Sequence, residues 1–145
     1  MATAFPTIGC CIDRSAAAAL AIAEGLRLRD LGVVGAVCLV HVVEPPPPLH
    51  AGPFTYVEPD PVARAEARAW LDERLASAPG ATGVLLDGPP GKAVCEWAAS
   101  TGAGLLLVAA HRGVIDRAIH GRFAGHVTYH SPCPVLVIHP PHAEG

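Results

Sequence analysis

Residues Leu105–Ile138 read LLLVAAHRGVIDRAIHGRFAGHVTYHSPCPVLVI, and the order of elements in this stretch decides the fold. Leu105 to Ala110 is an unbroken apolar run, the mark of a strand buried on both faces. A loop follows with glycines at Gly113 and Gly121. The spacing then predicts a helix over Arg122 to His130. A Pro-Cys-Pro break at 132–134 leads into a second β-branched run, Val135 to Ile138. Strand, glycine loop, helix and strand make half of a nucleotide-binding crossover. A helix that starts after a glycine loop suits phosphate, because its free N–H groups and its dipole favour negative charge.

Upstream, the chain builds a sheet to carry that loop. Thr7 to Ile12 reads as a first strand ending at Asp13. Ser15 is placed to cap the next helix, with Ala19, Ile22, Ala23 and Leu26 on its apolar face. Gly32 ends this helix, and Val33 to Val43 forms a second buried strand. Glu44 to Pro59, EPPPPLHAGPFTYVEP, is too rich in proline for a helix or a central strand, so it reads as a long loop that Phe54 and Tyr56 pin to the surface, with a lid whose two aromatics cover a ligand as the alternative. Asp60-Pro61 starts a helix with Ala67, Leu71, Leu75 and Ala78 on one face, ended by Pro79-Gly80. Thr82 to Leu86 is a third strand. Gly88-Pro-Pro-Gly-Lys92 turns into a helix whose buried face is Val94, Trp97, Ala98 and Thr101, and Gly102 ends it. Strands alternating with helices imply an α/β, doubly wound, five-stranded parallel sheet, with ligands at the carboxyl ends of its strands. In the order 3-2-1-4-5, strands 1 and 4 flank the crevice, between Asp13 and His111.

Composition narrows the function. The 145 residues suit a single domain, residues 1–145, with the proline-rich loop inside it. The chain is 51% hydrophobic with a mean hydropathy of +0.38, yet no run approaches the roughly 18 apolar residues of a membrane span. MATAFPTIG has neither a basic nor an apolar leader region, so a cytoplasmic location is expected. A net charge of −3 argues against a nucleic-acid or anionic-membrane surface. Lys92 is the only lysine; Arg112, Arg117 and Arg122 lie in or beside the glycine loop, where a guanidinium fork suits phosphate as well as it suits solvent. The five cysteines, Cys10, Cys11, Cys38, Cys95 and Cys133, form no C-x-x-C pair and fit neither a disulfide framework nor a zinc site.

Three other signals point away from chemistry. Gly88-Pro-Pro-Gly-Lys92 fails as a phosphate-binding P-loop, since Leu86 stands where the first glycine belongs and Ala93 where a Ser or Thr belongs. His126 and His130 have the i, i+4 spacing of metal ligands but no acidic partner, and they read as polar surface residues. His41 reads as a packed strand-end residue. With no nucleophile and base in a recognisable arrangement, the chain is expected not to be an enzyme, with slow ATP hydrolysis as a weaker alternative.

These residues carry a family resemblance from Thr7 to Ile138. The chain resembles the universal stress proteins (the UspA family). The matching features are the apolar first strand ending in Asp13, Leu39-Val-His-Val-Val-Glu-Pro45, Gly88 before the third helix, the fourth strand running into a glycine loop, and Ser131-Pro-Cys-Pro-Val-Leu-Val-Ile138. The resemblance implies the strand order 3-2-1-4-5 and a homodimer, and the apolar run Val135–Ile138 is a natural edge strand to pair across a two-fold axis.

In the ATP-binding branch of that family the loop reads Gly, two residues, Gly, nine residues, Gly, then Ser or Thr. Here the first glycine is Ala110, seven residues separate Gly113 from Gly121, and Arg122 takes the hydroxyl position. The match places Cys11, Asp13 and Val42 around adenine and ribose, with Ala109, Ala110, Gly113, Gly121, Arg122 and Phe123 near ribose and phosphates. Ala110 adds a Cβ where bare backbone is wanted, and the shorter loop offers fewer N–H groups to a polyphosphate. The nucleoside half of the site is therefore retained and the triphosphate half altered. The expected function is an adenine-nucleotide-binding module, for ATP or AMP, in stress response or signalling. The alternative is a dimeric protein–protein interaction module that binds no nucleotide.

Overall fold

The computed structural model describes residues 3–43, 60–110 and 123–140. Its elements in chain order are β1 (Phe5–Cys11), α1 (Ala18–Asp30), β2 (Val34–Val43), α2 (Pro61–Ala76), β3 (Thr82–Asp87), α3 (Pro90–Thr101), β4 (Leu105–Ala109), α4 (described over 123–130) and β5 (Val135–Ile138). All four strand pairings are parallel, and the sheet order is β3-β2-β1-β4-β5. The order expected from the sequence is thus the order observed.

Each central strand is apolar on both faces because both faces are covered. Ile8, Cys10, Leu39 and Leu107 point towards α1 and α2, where Ala21, Ile22 and Leu71 meet them. Cys11, Val40, Leu106 and Val108 point the other way, onto Val94 and Ala98 of α3 and Val127 of α4. Cys10, Cys11 and Cys38 are buried within this core as free thiols. Phe54 and Tyr56, with the rest of the proline-rich loop, lie outside the described residues.

Helix starts and stops follow local chemistry. Asp60 caps α2 by accepting a hydrogen bond from the Ala63 N–H at 2.7 Å, and Pro61 occupies the first turn, where its missing N–H costs nothing. Gly32 and Gly102, with φ of +79° and +71°, take the left-handed conformation that ends α1 and α3.

Several expectations from the sequence need correction. Ser15 does not cap α1: the N-cap is Ala17, which makes no side-chain cap bond. The buried face of α1 is Ala18, Ala21, Ile22 and Gly25, and Ala19 and Ala23 face solvent. Alanine recurs all round this helix, so an alanine pattern cannot fix its rotation. Gly25 does fix it, since a Cβ there would stand 2.6 Å from Cys10 Sγ. In α3, Thr101 is exposed and donates its hydroxyl to the Trp97 carbonyl at 2.7 Å, while Ala93, which the sequence reading did not place on the buried face, lies in the core. The second helix stops at Ala76, before Pro79, with Ser77 closing it. Strand β4 ends one residue early, at Ala109.

Candidate functional site

Because all strands run the same way, β1, β2 and β4 end together. Helix α1 packs on one face of the sheet and α4 on the other, and the crevice lies at the strand ends between them. A cavity of about 640 Å³ occupies this end of the sheet, within the range of roughly 300–1,000 Å³ typical of small-molecule sites. Its floor is strand: Cys11, Val40, Val42, Val108 and Ala109. One wall comes from the β1–α1 connection and α2, with Asp13, Arg14, Ala63 and Glu66; the facing wall comes from α3 and α4, with Gly91, Lys92, Phe123 and His126.

The floor is apolar even where a thiol contributes. Burial pushes the Cys11 thiol above its ordinary titration range, so it presents a neutral, polarisable surface. Asp13 is the carboxylate at the end of β1. Its Oδ1 accepts two hydrogen bonds from Ser15, from the backbone N–H at 2.9 Å and the hydroxyl at 2.5 Å. Two bonds to one oxygen hold the carboxylate plane, and carboxylate oxygens retain capacity for further donors. His41 is buried, and its Nδ1 lies 2.9 Å from the Ile12 carbonyl oxygen. A carbonyl can only accept, so Nδ1 carries the proton and the ring is fixed in that tautomer. Trp70 packs on the same ring, with centroids 4.7 Å apart.

Five of the residues that the resemblance places at the site line this cavity: Cys11, Asp13, Val42, Ala109 and Phe123. Ala110 stands just beyond the end of β4 and off the lining; its N–H donates to the Ile138 carbonyl at 2.7 Å, tying the strand end to β5. Gly113, Gly121 and Arg122 lie outside the described residues, as do His111, Arg112 and Arg117.

Sequence reasoning missed Arg14, His41, Glu66, Lys92 and His126 as cavity residues. Gly88–Lys92 does enter a helix as expected, but that entry is also a cavity wall. It packs so closely on α4 that a Cβ at Gly91 would lie 2.7 Å from His126 Cδ2. The signal was available for His41, since residues near the carboxyl end of a parallel strand face the ligand side. Nothing in the sequence pairs α3 with α4. Among the described residues, no three or more His, Cys, Asp or Glu side chains are grouped to hold a metal ion, and no helix is long and apolar enough to cross a membrane. His126 and His130 stack with ring centroids 4.4 Å apart.

The family model of the universal stress proteins matches residues 4–139. No curated protein matches the chain. Among solved structures, a universal stress protein from Archaeoglobus fulgidus is 19% identical with a TM-score of 0.63, covering 92% of this chain and 93% of its own. A universal stress protein crystallised in complex with cAMP is 20% identical with a TM-score of 0.62, over 94% of this chain and 98% of its own. A universal stress protein family protein from Arabidopsis thaliana with AMP bound is 15% identical with a TM-score of 0.61, over 94% and 92%. At such identities these likenesses speak for the fold alone. The fold and the family match, which spans nearly all of the sequence, agree: the chain belongs to the universal stress protein family.

Proposed function

We propose that this protein is a cytoplasmic binding module that takes up an adenine nucleotide in the cavity at the carboxyl ends of β1, β2 and β4. The observation that carries the reading is the position of Asp13. Its carboxylate is oriented by Ser15 at the mouth of a cavity whose floor is apolar. An apolar floor suits a purine face, and a fixed carboxylate suits the vicinal hydroxyls of a ribose. The cAMP and AMP complexes of two structurally similar proteins support the same ligand class. On this reading Cys11, Val42 and Ala109 contact the base and sugar, and Ala110, Gly113, Gly121, Arg122 and Phe123 serve the ribose and phosphate end. The module binds and signals; it does not turn substrate over.

Calorimetric titration of the nucleotide-stripped protein with ATP and AMP tests this. Binding in the micromolar range, about −8 kcal/mol, that disappears in Asp13→Ala is the expected result. If AMP binds as well as ATP, the triphosphate end is the altered part of the site. No heat and no thermal shift with either ligand would refute the reading. That outcome would leave a dimeric interaction module, which is favoured by one separate observation: β5 is an edge strand, and Leu136 on it is 38% exposed.

A further inference from the structure

The carboxylates of the cavity are confined to one wall, which they share with Arg14. They are Asp13 and Glu66, from the end of β1 and from α2. The facing wall holds Lys92 on α3 and the His126 imidazole on α4, and no carboxylate among the described lining residues. The remaining polar side chains are Arg14, exposed beside Asp13 in sequence, and the buried His41. Lys92 follows the point where α3 meets α4, because Gly91 lets the first turn of α3 seat directly against the His126 ring. Among the described residues, Lys92 forms an exposed i, i+4 pair with Glu96 at 3.7 Å, which is weak enough to exchange for a ligand.

Resting on the nucleotide reading above, we infer that Lys92 and His126 form the phosphate-recognising wall of this cavity and orient the ligand across it. The ribose hydroxyls lie on the Asp13 side and the phosphate on the α3–α4 side. A carboxylate repels phosphate and accepts hydroxyl protons, whereas an ammonium and a ring N–H donate to phosphate oxygens. With both carboxylates on one wall, a nucleoside monophosphate avoids charge repulsion best when its phosphate lies on the other. The wall also offers donors from side chains on two rigid helices, independent of the backbone N–H groups of the glycine loop.

The test compares adenosine with AMP by calorimetry on the full chain, in wild type, Lys92→Gln, His126→Gln and Arg14→Gln. In wild type AMP binds more tightly than adenosine. Lys92→Gln and His126→Gln each reduce the AMP affinity by about fivefold to tenfold, in line with loss of a charge-assisted hydrogen bond, and change adenosine affinity by less than about twofold. Arg14→Gln has a smaller effect on AMP than Lys92→Gln. Melting curves establish that each variant is folded; Lys92, with 67% of its side chain exposed, remains informative if the more closely packed His126 variant is not. An AMP-to-adenosine ratio unchanged in Lys92→Gln overturns the inference, as does an equal loss in Arg14→Gln, which would mean that phosphate senses only net charge. In both cases adenosine still binds and the nucleotide reading stands. Failure of adenosine and AMP alike to bind the wild type overturns both.

Discussion

Ser15 donates both its backbone N–H and its hydroxyl to the same oxygen of Asp13, at 2.9 and 2.5 Å. This residue, whose type marks it as a helix cap, therefore serves the carboxylate two positions before it. Ser15→Ala removes the hydroxyl bond and keeps the N–H bond, so the carboxylate is held less firmly but keeps its charge. The expected result is nucleotide affinity reduced by about fivefold, near 1 kcal/mol, against loss of binding in Asp13→Ala. Equal affinity in Ser15→Ala and wild type would show that the N–H alone sets the carboxylate.

Two helical glycines answer oppositely to the same substitution. At Gly25 a new Cβ meets Cys10 Sγ at 2.6 Å inside the core, so Gly25→Ala overpacks α1 against β1 and should cost about 1–3 kcal/mol. At Gly125 in α4 none of the described residues comes within 4 Å of the added carbon, so Gly125→Ala should stabilise by about 0.5–1 kcal/mol. Urea midpoints of the two variants, compared with wild type, check both signs.

These glycines also show where the sequence could be read and where it could not. The central strands β2 and β4 were legible as apolar runs buried on both faces, the parallel direction followed from the alternation of strands with helices, and the order 3-2-1-4-5 came from the family resemblance. Asp13 was legible as the end of the first strand, and Cys11 and Val42 were reached only through the family resemblance, which places them beside it. The rotation of α1 was not, since alanine at Ala19 and Ala23 has no more apolar surface to hide than alanine at Ala18 and Ala21. Lys92 and His126 were not legible for a different reason: they meet only through the packing of α3 on α4, which is set by Gly91, a residue that in the sequence signals a turn.

His41 links the cavity to the core under α2. The Ile12 carbonyl depends on its Nδ1–H, at 2.9 Å, in a buried place. His41→Leu retains the apolar contact with Trp70 but leaves that carbonyl without this donor, at a cost of about 1–3 kcal/mol. The nitrogen chemical shifts of His41 should report a proton on Nδ1. An Nε2-protonated ring would contradict the hydrogen bond as assigned.

The buried thiols make stability fall in alkali. Burial raises Cys10 from an ordinary 9.0 to about 12, and Cys11 is pushed up for the same reason. Below pH 9 the thiol is protonated in both the folded and the unfolded chain, so its contribution is fully present. Above pH 9 the unfolded chain releases the proton and the folded chain keeps it, until the pH reaches about 12. Across that window each such thiol should lower the unfolding free energy by about 1.4 kcal/mol per pH unit. Urea titrations from pH 7.5 to 10.5 should be flat and then decline, and Cys10→Ala should make the decline shallower by one proton. An unchanged slope in that variant would place the alkaline transition elsewhere.

The free edge of the sheet makes the last prediction. Among the described residues, strand β5 pairs with β4 along one side and forms the edge of the sheet, next to the partly exposed Leu136. Such an edge pairs with another strand or has to be covered, and a second copy of β5 related by a two-fold axis satisfies both strands with the same residues. We expect the protein to sediment as a dimer. Leu136→Lys places a charge in the paired edge, and in a two-fold arrangement the substitution enters twice, so the dimer should dissociate by more than about a hundredfold while the monomer keeps its fold. A wild-type monomer at micromolar concentration would dismiss the pairing. A Leu136→Lys dimer as tight as wild type would move the interface to another face.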